Sequence, residues 1–293
     1  MKIKLPLSER IFHIINTIIM VLMIVIMVYP FLHVLFASFS NPAKLMAHRG
    51  LLLHPLDATV AAYQQVMKNP MLLRSYVNTI IIVVAGVAIN LLLTAIGAYF
   101  LSRRNVMFKK PVMVMIVITM YFSGGIIPMY FTVQQLGLMD SLWSLILPSA
   151  VNTFNLIIMR TSFASIPAEL EEAATVDGAG HFTMLFRIIM PVSMAVVAVV
   201  TLYYAVGHWN SWFNAMIYLT DRQKFPLQLI LREILIQNDT STMTVNVDIG
   251  EQSLVGDTIK YAIIIVATVP ILCIYPFLQK YFVKGVMIGS LKG

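Results

Sequence analysis

The chain carries little charge: only 11% of its 293 residues are Asp, Glu, Lys or Arg. Soluble domains carry about 25%, so an ordinary water-soluble globule is excluded. Cysteine is almost missing. The single Cys273 supports neither a disulfide framework nor a cysteine-ligated metal centre. No Lys is followed by Ser or Thr. A phosphate-binding loop needs that pair, the Lys for the phosphates and the hydroxyl for magnesium, so no such nucleotide site is present. Paired aspartates, a zinc-ligand set and a supported Ser–His pair are also wanting, which removes the usual bases for an intramembrane protease. Neither a catalytic residue nor a metal ligand is expected.

What the chain has is apolar surface, with 59% hydrophobic residues and a mean hydropathy of +0.84. Six apolar runs stand out: residues 11–36, 76–101, 111–131, 142–159, 191–219 and 261–282. Each is close to the ~20 residues a helix needs to cross hydrocarbon. They lack the alternation of barrel strands, and a backbone in lipid must otherwise be helical. The expectation is an all-α membrane protein with six transmembrane helices. Lys2, Lys4 and Arg10 before the first run resemble a signal peptide, but the run is too long for one and is read as a retained span.

The interiors of these runs hold no Asp, Glu, Lys or Arg. Ion-coupled transporters usually carry such residues as relays. His13, His33 and His208 are the remaining candidates, and a packed or interfacial role is the plainer reading of each. Energy for uphill transport would therefore have to arrive through a partner.

Orientation follows from the basic residues. With the N-terminus inside, twelve Lys and Arg fall in inner segments and eight in outer ones. The second-to-third connection holds four and the third-to-fourth none. This bias places both termini in the cytoplasm. The net charge of +7 is read as topology rather than as a nucleic-acid footprint.

One polar insert stands between the fourth and fifth runs, at residues 163–190, on the cytoplasmic side. Pro167 suits a helix start, and Glu169, Glu171 and Glu172 complement the helix dipole. Leu170, Ala173 and Ala174 share a face, and Gly178 suits a left-handed stop. A second helix follows, with Phe182, Leu185, Phe186 and Ile189 at helical spacing. Pro191 is expected to end it and open the fifth span. Such a hairpin fits a groove in another protein; the alternative is a hairpin lying on the lipid surface.

The spacing Glu172-Ala173-Ala174, three residues, Gly178, nine residues, Ile188, one residue, Met190, Pro191 resembles the coupling loop of permease subunits of ATP-binding-cassette (ABC) importers. One departure is Met190, where Leu is usual. The tail from Gln279 to Gly285, with Gly289–Gly293, is similar to that of the small permease of carbohydrate importers of the maltose type. The stretches Phe122–Pro128 and Tyr204–Asn214 look like the branch that imports complex or acidic oligosaccharides, such as alginate or rhamnogalacturonan. The resemblance implies a type I importer fold and a bacterial cytoplasmic membrane location. It implies no cofactor on this chain, with ATP and magnesium on partner subunits. The partners would be a second permease, two ATP-binding subunits, an extracytoplasmic solute-binding protein, an oligosaccharide and the lipid bilayer, with no nucleic acid. The coupling residues would be Glu172, Ala173, Ala174, Asp177, Gly178, Phe182, Phe186, Ile188 and Pro191. The plan would be residues 1–72 as first span and outer loop, 73–282 as permease core, and 283–293 as cytoplasmic tail. The outer loop at 221–257, with its polar tract 237–242, would probe the binding protein; a plain solvated loop is the alternative.

The fifth run is polar for lipid. Tyr203, Gly207, Asn210 and Asn214 fall on one helical face, beside Tyr204, His208 and Trp212. Amides bond sugar hydroxyls and aromatics stack on sugar rings. The competing reading is an interfacial Trp belt with asparagines gluing helices. Ser149, Asn152 and Asn155 make a second polar stripe, and Gly124, Gly125 and Pro128 are expected to kink the third run. Alternatives to an oligosaccharide permease are a permease for an amino acid or peptide, or a membrane enzyme or scaffold.

Overall fold

The computed structural model describes residues 6–103, 106–236, 258–273 and 276. Among them every regular element is helical. The main helices are α1 (Leu7–Ser38), α2 (Pro42–Ala47), α3 (Ala61–Lys68), α4 (Pro70–Ser102), α5 (Lys109–Tyr121), α6 (Ile126–Gln135) and α7 (Trp143–Ile146). They continue with α8 (Thr153–Ala164), α9 (Ala168–Val176), α10 (His181–Val192), α11 (Met194–Trp209), α12 (Phe213–Tyr218), α13 (Leu227–Ile236) and α14 (Thr258–Cys273). The chain divides into two compact units, residues 1–69 with 234–269, and residues 70–233 with 270–293.

In the first unit, α1 is apolar on every side and exposed along its hydrophobic length. A helix of that kind belongs in lipid or against other apolar helices. Its C-terminal end is tied down by polar contacts. The Leu52 backbone N–H donates to the Tyr29 hydroxyl (3.1 Å), Leu56 N–H donates to Ser40 Oγ (3.0 Å), and the Ser38 and Tyr63 hydroxyls pair at 2.7 Å. Lys44 and Asp57 form an ion pair on the surface of this loop.

The second unit is built on α4. Its buried stripe recurs at helical spacing as Ser75, Thr79, Ile82, Gly86, Asn90, Thr94, Ala98 and Leu101. Its other face exposes Ile80, Ile81, Val84, Leu92, Leu93 and Ile96. Small and polar residues face protein and large apolar ones face outward, as expected where lipid supplies no hydrophobic drive between helices. Ala95 and Ala98 let α8 and α11 pack close, and Leu156, Met159, Phe163, Val197 and Val200 complete the core. At Gly86 a Cβ would lie 2.5 Å from His208 Nε2, so α4 presents bare backbone to an imidazole of α11.

Of the six expected spans, two are uninterrupted helices long and apolar enough to cross a membrane, α1 and α4. The count rises to four if each of two bent pairs is one span. The third run breaks between α5 and α6 with a 115° bend. It turns at Gly125 (φ 88°), where a kink was expected. The fourth run is α7, a 3₁₀ turn at Leu147–Ser149 and α8; Pro148 cannot donate to a continuous helix. The fifth run does not open at Pro191. The chain stays helical through it and bends by 90° at Ser193. Residues Met184–Ile189 are wound as a π-helix, and the wider turn makes room for the proline ring. The run breaks again between α11 and α12, so Asn210 and Asn214 do not sit one turn apart on one helix. α14 ends its described part at Cys273, and the tail from 277 onward lies outside the described residues.

At the end of α4 away from Leu101, Asp140 fastens two connections together. Its Oδ1 accepts from the backbone N–H groups of Thr220 (3.1 Å) and Asp221 (3.0 Å), and Lys224 Nζ lies 2.8 Å from Oδ2. The Lys224 hydrogen bond, followed by those from Asp221 and Thr220, lowers the Asp140 carboxyl from 3.8 to about 2. A carboxyl depressed by folding contributes stability above its unfolded pKa and loses it as pH falls through the folded value. The Thr220 and Asp221 amides are expected to stay protected from hydrogen exchange down to about pH 4 and to lose protection between there and about pH 2. In Asp140→Asn that acid-dependent loss should vanish; a wild-type amide pattern unchanged across this window would contradict the assignment.

Candidate functional site

The first candidate site is the hairpin of α9 and α10. Pro167 stands at the N-cap of α9, one residue before the helix (φ −56°, ψ 139°). At the other end the Gly178 N–H donates to Thr175 O (3.0 Å) and the Ala179 N–H to Ala174 O (2.9 Å). These two bonds define the Schellman stop. Gly178 has φ 78°, and nothing lies within 4 Å of where a Cβ would be. The need for glycine there is one of backbone conformation, not of space.

Arg103, just past the end of α4, holds the hairpin. Its guanidinium pairs with Glu171, donates to Phe163 O (3.1 Å) and lies 4.9 Å from the Tyr99 ring centroid. The Tyr99 hydroxyl is 3.2 Å from His181 Nδ1 at the start of α10. Both arms of the hairpin are thus fixed to one helix end, around a cavity of about 620 Å³.

The exposed side of the hairpin presents Glu172, Ala173, Asp177, Gly178 and Pro191 to solvent. Phe182 and Phe186 are also exposed, at 73% and 40%, with rings parallel to within 4° and centroids 6.5 Å apart. A shallow apolar groove of about 390 Å³ runs beside Phe182, between it and Ile96, Tyr99, Phe100 and Leu185. Not all of the expected surface faces outward. Ala174 is buried and Ile188 packs against the core, and Leu185 and Ile189 are buried too. The aromatic face is therefore narrower than helical spacing implied.

The second candidate site is a polar cavity of about 220 Å³ against α4, α8 and α11. Of the six residues singled out as a pathway, Asn152, Asn155, Tyr203 and Asn214 line it. Asn210 and Trp212 do not: Asn210 caps α11 and is exposed, and Trp212 lies under the Arg232 guanidinium at 4.9 Å. The helix break before α12 swings these two away. Asn152 is the N-cap of α8, its side chain accepting from Asn155 N (3.1 Å). Its own N–H donates to the Tyr204 hydroxyl (2.9 Å), which pairs with Thr94 Oγ1 at 2.7 Å.

Asn90 was missed from sequence; its only signal was an amide inside an apolar run. Its Nδ2 donates to Ser149 O (3.4 Å) and meets His208 Nε2 at 3.0 Å. Because Ser149 O can only accept, the amide is fixed in this orientation. His208 Nε2 then accepts, and the ring proton sits on Nδ1. Asn90 Oδ1 is left sealed from water with no partner, a situation that costs about 1–3 kcal/mol. A second cavity of about 290 Å³ adjoins the first, sharing Ser149 and Asn214 and reaching Gly125, Phe213 and Tyr218.

Fold and sites define an all-helical membrane protein with an exposed helical hairpin seated at one end of its core helix and a polar cavity between its helices. No family model matches the chain. It is 41% identical over 273 residues to the polygalacturonan/rhamnogalacturonan transport system permease protein YtcP of Bacillus subtilis, covering 92% of this chain and 93% of that protein. It is 43% identical over 269 residues to protein LplC of the same organism, covering 92% and 90%. Among solved structures it matches a bacterial ABC transporter involved in the import of the acidic polysaccharide alginate, with a TM-score of 0.88, 32% identity, and coverage of 96% of this chain and 100% of that one. The chain belongs to the permease subunits of ABC importers, a family that includes the polygalacturonan/rhamnogalacturonan permease and the alginate importer just named. Permeases of this kind are integral membrane proteins without catalysis of their own. ATP is hydrolysed on separate subunits, and the assembly includes a second permease and a solute-binding protein.

Replacement of Gly178 by Val forces a β-branched side chain into the left-handed region, at a cost of roughly 1–2 kcal/mol. Gly178→Val is expected to loosen the α9–α10 turn, seen as faster protease cleavage between Asp177 and His181, with the core helices unaffected. Wild-type cleavage rates would show that the turn tolerates the change.

Proposed function

We propose that this chain is one of the two membrane subunits of an ATP-driven importer that carries oligosaccharides, of an acidic pectin- or alginate-like type, into a bacterial cell. The observation that carries the reading is the hairpin: a rigid turn, fixed by Arg103 to the end of the core helix, with an exposed parallel aromatic pair. An object of that shape suits the groove of a second protein. We take Glu172, Ala173, Asp177, Gly178, Phe182, Phe186 and Pro191 as the surface gripped by the ATP-binding subunits. Ala174 and Ile188 act from behind it by seating the hairpin on the core. ATP-driven closure of those subunits would move the hairpin, and with it α4, switching the pathway between its two openings. The cargo reading is supported by the names of relatives, a polygalacturonan/rhamnogalacturonan permease and an importer of alginate. The amide-lined cavity supports a saccharide over an amino acid or peptide, since no charged side chain lines it among the described residues.

The membrane plan belongs to the same reading. Six spans with both termini cytoplasmic put the α9–α10 hairpin inside the cell and Asp140 outside. Residues 1–72 form the first span and outer loop, 73–282 the permease core and 283–293 the tail. With Cys273 replaced, a cysteine at Val176 is expected to react only from the cytoplasmic side and one at Gln223 only from outside. Reaction of both from one side would overturn the plan.

The function itself is tested by reconstituting the chain with its second permease, two ATP-binding subunits and solute-binding protein. Oligogalacturonate or oligoalginate is expected to stimulate ATP hydrolysis and enter the vesicles, and Gly178→Val to abolish most of that stimulation. Stimulation by a peptide or amino acid instead would replace the cargo. Full coupling in a stably assembled Gly178→Val complex would remove the hairpin from the mechanism.

A further inference from the structure

The two adjoining cavities of the second unit share an unusual wall. Their polar groups are amides, hydroxyls, phenols and one imidazole, and among the described residues neither is lined by Asp, Glu, Lys or Arg. The groups are also pre-set. Tyr204 holds the N-terminus of α8 through Asn152, and α8 carries Asn155 into the wall. His208 is pressed against the bare backbone at Gly86 and oriented by Asn90. Asn90 is 1% exposed and still has an oxygen that nothing satisfies. Such an orphan acceptor beside a polar cavity calls for a donor the protein does not supply. Water and a ligand hydroxyl are the two candidates, and the neighbouring Phe213 and Tyr218 rings suit the apolar face of a sugar more than water.

We propose that these cavities form a charge-blind saccharide subsite, in which Asn90, Ser149, Asn155 and Asn214 bind ring hydroxyls and Phe213 and Tyr218 cover the ring face. This rests on the proposed role of the chain in oligosaccharide import. It adds that selection for the carboxylates of an acidic cargo is not made here. A carboxylate would find amide and hydroxyl donors on this chain but no fixed cation from it, so a neutral ring and its acidic counterpart gain the same contacts with these residues. The first cavity, at about 220 Å³, is smaller than the ~300–1,000 Å³ usual for a ligand pocket. In this state it takes less than one ring and must widen toward Ser149 and Asn214 to accept cargo. Widening also brings a hydroxyl within reach of the Asn90 oxygen.

The test uses the permease pair with its ATP-binding subunits in detergent, without the solute-binding protein. Trigalacturonate and its methyl ester are the probes, since the ester removes the charge and keeps the ring hydroxyls. Asn90→Leu, Asn214→Leu and the milder Ser149→Ala are compared with wild type by equilibrium binding, with complex recovery measured alongside. Each variant is expected to weaken both probes by the same factor, roughly three- to ten-fold for a lost neutral hydrogen bond. Unchanged binding of both probes in all recovered variants would overturn the subsite. Selective loss of the charged probe would overturn its charge-blindness. If Asn90→Leu fails to assemble, Ser149→Ala and Asn214→Leu decide the matter. The import reading is judged separately: if wild-type vesicles take up saccharide while the variants bind normally, only the subsite falls, whereas absence of any saccharide uptake removes the import reading itself.

Discussion

A backbone in hydrocarbon has no water to turn to, so every N–H or C=O that leaves a helix must be met by the protein. Long unbroken helices avoid the problem, and α1 and α4 take that route. The third, fourth and fifth apolar runs are interrupted, and the breaks in the third and fourth are met by polar side chains. The broken fourth run is the clearest case. Its restart at Thr153 is met by the Asn152 side chain and by the Tyr204 hydroxyl, which is itself joined to Thr94. The carbonyl of Ser149, freed where the 3₁₀ turn ends, accepts from Asn90. Cavity lining and backbone repair therefore draw on the same residues, among them Asn90, Asn152 and Tyr204. The groups that make broken helices tolerable are also the groups that line the cavity.

The hairpin is held differently, with its outer face exposed and its inner face seated on the core. Its turn is closed by two backbone bonds that only a left-handed residue permits, and its seat on the core is an ion pair at the end of α4. Arg103 is mostly covered, which shields the pair from salt more than an exposed one. The hairpin and the longest helix of the unit are thus joined by directional contacts as well as apolar packing. A force applied at Phe182 and Phe186 has a short route to the helix that carries Asn90.

Much of this was legible in the sequence, and the reasons differ from residue to residue. Gly178 was readable because a stop after Val176 needs a left-handed residue and glycine is the cheapest one. Asn152 was readable as a polar residue in an apolar run, although its role as helix cap came only with the structure. The outward aromatic pair was expected, but the four residues assigned to one face divide two and two. The cause is the π-helix at Met184–Ile189, since a helical wheel assumes 3.6 residues per turn throughout. The same wheel led Asn210 to be grouped with Asn214, when a break in the helix lies between them. Pro191 was read as a breaker, yet the wider turn before it absorbs the ring. Asn90 was invisible for another reason: a lone amide in a hydrophobic run has many uses, and only its unsatisfied oxygen singles it out.

The missing side chain at position 86 has a mechanical meaning. The His208 ring occupies the space a Cβ would fill, so α4 and α11 meet as key and slot. Sliding α4 along its axis would carry the bare backbone off the imidazole and bring Ile82 or Asn90, one turn away on the same face, toward it. The register of α4 against α11 is thus tied to one point of contact, where an imidazole stands in the place of a side chain.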